Sequence, residues 1–372
     1  MGWFGRKSAV TASSAPLVPV WAGSQEGEAF PRSYQARFNE VYLNNPVGQR
    51  AVRLVAGATA ALPIYASEGK ERAVELIRKP GLMEAVAAQL LLHGNAFVQC
   101  VPTGRGLGVL FPLRPERVSI VTDEQGWPAA YLYRVGTGQP KRYPARDVLA
   151  RTQIIHLRSL HPGDDHLGLG CMDAAISAAS VHNRATRWNK SLLDNAARPS
   201  GALVYEPADG ANLSAEQFTR LRSELDAQFS GSDNAGKPLL LEGGLKWQAL
   251  SLTPADMDFI RLKEAAAREI ALAFGVPPAL LGLPGDATYA NLREAGRALY
   301  RQTVLPLAKH ILDGLSDGLS DWFGKVRVVA DTDGITELAE DRERLWSQAE
   351  AASFLSRAEK RELVGYGPEE DA

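Results

Sequence analysis

At 372 residues the chain is too long for one small core, and two or three packed units are expected. Its 45% hydrophobic and 23% charged residues exclude a wholly disordered chain, and a net charge of -2 excludes the global basic excess of a dedicated nucleic-acid grip. Cys100 and Cys171 are too few for a secreted disulfide scaffold and read as free thiols of a reducing cytosol. No apolar run approaches the ~18 residues of a membrane span. The start MGWFGRK lacks the apolar stretch of a signal peptide, so a soluble protein made in the cytosol is expected, with no membrane partner.

Residues 1–30, rich in Ala, Ser, Gly and Pro, read as a loose arm. A helix opens near Asn45, with Val52, Val55 and Thr59 on one side. A second helix, LMEAVAAQLLLH, ends at Gly94-Asn95, and Ala96 to Val101 reads as a strand. From Leu110 to Leu160 strands dominate, with QIIHLRSL a buried one, so this part is an α+β block.

The texture then changes. CMDAAISAASVHNRATRWNKSLLDNAA runs 27 residues without Gly or Pro. As a helix it would measure roughly 40 Å. A small insert follows: the strand GALVYEP, a helix capped by Ser214, and hairpin-like strands in KPLLLEGGLKWQALSL. The next helix has Thr253 as N-cap, Pro254 at its first position and Asp256 in a capping-box-like place. Its apolar stripe is Phe259, Leu262, Ala266, Ile270 and Ala273. Gly275 can close it in the left-handed conformation, and Pro277 and Pro278 forbid its continuation. Two helices thus flank a strand-helix-strand insert, like a stalk bearing a lobe.

A long helix is expected from Tyr289 to Trp322, with a kink at Pro306 where a backbone hydrogen bond is lost. KVRVVAD reads as a strand and the remainder as a helical unit. From Asp331 onward, twelve acids against five bases leave -7, so this end is not expected to meet phosphates directly.

Candidate chemistry is sparse. GSDNAGKP (231–238) has the Gly-x4-Gly-Lys spacing of a phosphate loop. However, Pro238 replaces the hydroxyl residue, and the helix precedes where it should follow, so a turn is favoured over a nucleotide-driven motor. His161, Asp164, Asp165 and His166 are the residue types for a divalent metal and would carry the alternative function, a metal-dependent nuclease or phosphoesterase. A Gly-Pro-rich loop is a poor scaffold for ligands, and turning the chain is the favoured role. His93, His182 and His310 sit in helical patterns and read as structural. No nucleophile elbow, zinc-binding His helix or Cys pair is present. The chain is not expected to be an enzyme, to bind a metal or to need a cofactor.

The order of parts, and the strings FGVPPALLG (274–282), ATYANLREA (287–295), NAARPSG (195–201) and DTDGI followed by DRERLW, resemble the portal, or head-to-tail connector, proteins of tailed bacteriophages. Prophages and gene transfer agents carry members of the same family. The resemblance runs from about residue 30 to 365. GLGCMDAA departs from it where family members often have a small residue, Pro and Leu after the glycine. The resemblance implies an α+β portal fold: flexible arm 1–30, wing 31–170, stem helix 171–197, clip 198–253, second stem helix 254–275, tunnel loop with kinked helix and wing return 276–330, and crown 331–372. It further implies a homo-oligomeric, dodecameric ring at one capsid vertex of the virion, through which double-stranded DNA passes without sequence readout. The implied partners are the major capsid protein, the terminase large subunit and the head-tail adaptor. The tunnel loop, Leu283–Ala290, would bring Asp286, Thr288, Tyr289 and Asn291 weakly toward DNA. Arg184, Arg187 and Lys190 on the first stem helix would face the channel or a neighbouring subunit. The stop at Gly275, Pro277 and Pro278 would turn the chain inward to line the bore.

Overall fold

The computed structural model describes residues 17–19, 33–104, 106–194, 201–205, 245–249, 259–283 and 288–365, with positions 214, 216, 219, 220 and 223. Backbone contacts divide the chain into two units, residues 1–176 with 271–372, and residues 177–270.

The first unit mixes helices with antiparallel sheets. Its elements in order are β1 (Leu17–Pro19), α1 (Tyr34–Phe38), a π-turn (Asn39–Leu43), α2 (Pro46–Ala60), β2 (Ile64–Ala66), α3 (Glu71–Ile77), α4 (Leu82–His93), β3 (Asn95–Thr103), β4 (Gly106–Leu113), β5 (Val118–Thr122), β6 (Pro128–Tyr133), β7 (Lys141–Pro144) and β8 (Ile154–Arg158). Helix α5 (Cys171–Asp194) leads out of it. α2 starts as the sequence dictates: Asn45 Oδ1 accepts from the backbone N–H groups of Val47 (3.1 Å) and Gly48 (2.9 Å), and Pro46 follows. Val52, Val55 and Thr59 are buried on one face.

β3 is the hinge of the packing. It lies between β4 and β8, and successive side chains point to opposite faces. Ala96, Val98 and Cys100 enter one core with Leu76, Ile77, Leu90, Ile155 and Leu157. Phe97 enters a second core with Val118, Ile120, Tyr131 and Tyr143. Burial, and then the charge of Asp321, pushes the Cys100 thiol up to about 12, so it is an inert core residue.

The second sheet has the order β1-β5-β6-β7. Its first strand corrects the reading of residues 1–30 as loose throughout: Leu17 to Pro19 pair with Val121 to Ser119 of β5. An unpaired edge of β5 would leave backbone donors and acceptors open, and three extended residues suffice to cover part of it. The rest of the arm up to residue 30 lies outside the described residues.

Asn95, buried at the head of β3, fastens the loop that feeds α5. Its Oδ1 accepts from Gly168 N (2.8 Å) and pairs with His156 Nε2 (3.0 Å), while Nδ2 donates to Gly168 O (3.0 Å) and lies 3.2 Å from His93 Nδ1. Pairing with both polar groups of Gly168 fixes the amide orientation. That makes His156 Nε2 a donor and His93 Nδ1 an acceptor. The backbones meet so closely that a Cβ on Gly168 would lie 2.0 Å from Gly94 O and 2.7 Å from Ser159 N. Burial, then Arg37, pulls His93 down to about 4; burial, then Arg158 and the other histidines, pulls His156 down to about 3. Both are neutral structural rings, and His156 stacks on Phe97 at 4.2 Å.

After the second unit the chain returns as α6 (Phe259–Ala273), α7 (Tyr289–Leu299), a π-turn (Tyr300–Val304), α8 (Leu305–Phe323), β11 (Val328–Ala330), α9 (Ala339–Ala351) and α10 (Arg357–Leu363). α8 contributes Ile311, Leu312, Leu315 and Leu319 to the first core, and β11 pairs with β2. The interruption expected at Pro306 takes the form of the π-turn. Leu305 N–H reaches back five residues to Tyr300 O, and Pro306 occupies the opening turn of α8, where a missing N–H costs least.

In the second unit β9 (Gly201–Tyr205) pairs antiparallel with β10 (Leu245–Ala249), so Gly201 lies opposite Ala249. The hairpin-like reading of 237–252 is therefore corrected for 245–249: that strand pairs back to 201–205, near the start of the insert. Trp188 of α5 meets Phe259 of α6 with ring centroids 6.2 Å apart. The stripe on α6 is also corrected. Ala266, Ala267, Ile270 and Ala271 are buried, whereas Leu262 is 44% exposed. Small side chains form the packed face, and spacing alone assigned Leu262 to it. The expected Thr253 cap, with Pro254 and Asp256, and GSDNAGKP lie outside the described residues.

Candidate functional site

The site begins where α6 stops. Val276 N–H bonds Ala271 O (2.9 Å) and Gly275 N–H bonds Leu272 O (3.0 Å), the paired closure of a Schellman motif. Gly275 has φ 64°, a conformation that favours glycine. Its carbonyl accepts from Thr303 Oγ1 at 2.6 Å, and a Cβ here would sit 2.7 Å from that oxygen. The helix stop is therefore bolted to the π-turn 28 residues later. Phe274 and Val276 are buried on either side. Pro277 is extended, Pro278–Leu281 makes one tight turn, and Gly282 takes φ 74°. Gly275, Pro277 and Pro278 thus act as a stop followed by a turn.

The loop is shorter than the predicted Leu283–Ala290, because α7 starts at Tyr289. Thr288 is its N-cap: Thr288 Oγ1 accepts from Asn291 N–H at 3.3 Å. Tyr289, 77% exposed, and the exposed side chain of Asn291 project from the first turn. The structure brings Thr288, Tyr289 and Asn291 together; Asp286 lies outside the described residues. Arg184, Arg187 and Lys190 are exposed along α5, well separated in sequence from that turn, and Arg187 and Lys190 have interaction partners. His182, buried nearby on α5, is lowered by burial and then by the charge of Lys263.

The rest of α7 carries an ion network that sequence reasoning missed. Arg293 and Arg297 both bond the Glu340 carboxylate, Arg297 also reaches Glu294 (2.9 Å), and Arg301 reaches Asp341 (2.8 Å). The hydrogen bond to Glu340 raises Arg297 above its ordinary value, and the same bond lowers Glu340. This ties α9 to the helix that follows the loop. Its sequence signal was three arginines at i, i+4 and i+8 facing an acidic segment.

The His161–His166 loop serves the backbone. Asp164 Oδ1 accepts from the N–H groups of His166 (2.7 Å) and Leu167 (2.9 Å), and His161 Nδ1 accepts from Gly163 N–H (3.0 Å). Among the described residues, no group of three or more His, Cys, Asp or Glu side chains is placed to hold a metal ion. No helix among them is long and apolar enough to cross a membrane.

A helix stop bolted to a π-turn, an exposed capped turn after a short loop, and paired helices flanking a small two-stranded insert define a portal-type subunit. The profile of the phage portal protein family matches residues 46–365, and the chain belongs to that family, whose members are structural proteins. It is 45% identical to a chain in the neck of a native gene transfer agent particle computed with C12 symmetry, covering 91% of this chain and 95% of that one, with a TM-score of 0.69. A protein of Rickettsia bellii strain RML369-C is 39% identical, over 88% of each chain. The portal protein of an HK97-family phage from Corynebacterium diphtheriae shares the fold, with a TM-score of 0.55 at 18% identity over 80% of this chain and 97% of that one.

Proposed function

We propose that twelve copies of this chain form a ring at one vertex of a phage-like or gene-transfer-agent capsid, and that the ring conducts double-stranded DNA during packaging and ejection. The observation that carries the reading is the reversal at Gly275: α6 stops, a short loop follows, and α7 leaves from an exposed first turn. In this reading residues 31–170 are the wing, 171–197 and 254–275 the stem, 198–253 the clip, 276–330 the loop, broken helix and wing return, and 331–372 the crown. Capsid protein, terminase and adaptor dock on the wing and clip, and the particle is assembled in the host cytoplasm. A conduit must confine DNA without gripping it. Each neutralised phosphate adds salt-dependent affinity, so a chain with net charge -2 and few bases around Tyr289 suits passage better than binding.

Tyr289 and Asn291 are the side chains assigned to DNA proximity, with Asp286 beside them in the loop. Thr288 belongs to the same turn but its oxygen serves the cap. Arg184, Arg187 and Lys190 are assigned to the channel wall or to ion pairs between subunits. Electron micrographs of the purified full-length protein test the reading: rings with an open axis are expected, and solitary particles without a central opening would refute it. Tyr289→Ala with Asn291→Ala is expected to lower DNA retention in particles while leaving rings intact. Unchanged retention would remove the loop's role.

A further inference from the structure

The turn Asp147–Ala150, between β7 and β8, breaks every local preference for an exposed turn. Val148 is fully exposed and Leu149 is 65% exposed, in positions where Gly, Asn, Asp or Ser are favoured. Ala150 holds φ 59°, the positive-φ non-glycine residue among the described residues. Yet the turn is heavily braced. Asp147 Oδ1 accepts from Leu149 N (2.8 Å) and Arg151 N (2.9 Å), and its other oxygen pairs with Arg151. Arg146 donates to Ala150 O (2.7 Å), Arg151 lies 4.1 Å over the Trp322 ring, and Thr152 Oγ1 donates to Asp321 (2.6 Å). Two aliphatic side chains are thus presented to solvent on a rigid support. Local rules broken without a gain in the subunit's own packing are the mark of a site that acts elsewhere.

We propose that this turn is a docking knob that seats against α9 and α10 of a neighbouring copy of this chain. The inference rests on the ring reading above and deepens it. The chemistry of the receiving surface is complementary. Trp346 is 47% exposed and Phe354, in the α9–α10 loop, is 85% exposed. Glu343, Trp346 and Glu350 recur at i, i+3 and i+7 and share one helix face. Residues 134–146, which lead into the knob, contain four bases and no acid, whereas residues 331–372 carry -7. Neither apolar set is covered within its own subunit. They are also held apart. The knob is fastened to Asp321 near the end of α8, and α9 is fastened to Arg301 just before α8 begins. Twenty intervening residues amount to about 30 Å of helix. Two different surfaces, separated along one subunit, are what a closed head-to-tail ring requires.

The test uses the full-length protein, with mass photometry and electron microscopy reading the assembled fraction. Leu149→Asp and Val148→Asp change exposed side chains, so circular-dichroism melting is expected to stay at the parent value. The ring fraction is expected to fall by more than about tenfold, with Leu149→Met keeping it. Leu149→Cys and Phe354→Cys in one chain are expected to give a ladder of covalent multimers with a short bis-maleimide. A mixture of the two singly substituted chains should stop at dimers. Intact rings from both Asp variants together with no ladder would overturn the knob while leaving the ring reading standing. Intact Asp-variant rings that fail to enter particles would also overturn it, in favour of a seat on the shell. Absence of rings in the parent protein would instead refute the portal reading, and the knob with it.

Discussion

Replacing Asn95 by Ala should be among the most damaging single changes outside the large hydrophobic side chains. Asn95 is 1% exposed, and its amide serves Gly168 N–H, Gly168 C=O, His156 Nε2–H and His93 Nδ1. Truncation leaves three or four of these without a partner. Each orphaned buried group costs about 1–3 kcal/mol, and a water entering the vacated space restores part of it. The net loss is expected to be about 3–5 kcal/mol. At roughly 2 °C per kcal/mol for a unit of this size, the melting temperature should fall by about 6–10 °C. Thermal unfolding followed by circular dichroism reads this directly. Asn95→Asp sharpens the test. It keeps the shape and the acceptor toward Gly168 N–H but turns an oxygen toward Gly168 O. It should therefore match the alanine variant at pH 8 and gain on it at pH 5–6, where a protonated carboxyl supplies the missing donor. An alanine variant melting within about 2 °C of the parent would refute the reasoning, because the network would then contribute less than a single ordinary hydrogen bond.

Gly275→Ala should cost about 2–3 kcal/mol in denaturant unfolding: about 1 or more for the left-handed backbone, the rest for crowding Thr303 Oγ1 and disturbing its bond to Gly275 O. A loss below about 0.5 kcal/mol would show that the stop is not bolted there. Thr288→Ala should lose about 1 kcal/mol of helix capping and speed amide exchange at residues 290–292. Unchanged exchange in this variant would argue against the cap. Stability should also fall with acid. His93 is neutral when folded, at about 4 against an ordinary 6.5, so its contribution is complete above pH 6.5 and is lost as pH drops toward 4. At about 1.4 kcal/mol per pH unit that is about 2 kcal/mol between pH 7 and 5, with His156 acting in the same direction. Denaturant midpoints at pH 8, 6 and 5 should show the decline, and His93→Gln should flatten it. An unchanged slope in that variant would assign the effect to other groups.

Where local chemistry suffices, the sequence determined the outcome. Asn45-Pro46 starts α2, Gly94 ends α4, Gly275 with Pro277 and Pro278 stops α6, and the long run from Cys171 free of Gly and Pro is helical. Each depends on backbone groups within a few residues, so the residue types carry the answer. The order of these parts, together with FGVPPALLG and ATYANLREA, was enough to suggest the family. Tertiary structure alone decided the remainder. Leu17–Pro19 became a strand because β5, about a hundred residues later, offered an edge. Leu262 stayed exposed because the packed face of α6 is made of small residues. The interruption at Pro306 became a π-turn that places Thr303 on Gly275 O. Asn95 read only as the residue after a helix stop until Gly168, 73 positions away, appeared beside it. Caps and turns are satisfied by neighbours in the chain, whereas burial, edges and buried polar pairs are satisfied by whatever the fold brings alongside, and that partner is not encoded near the residue that needs it.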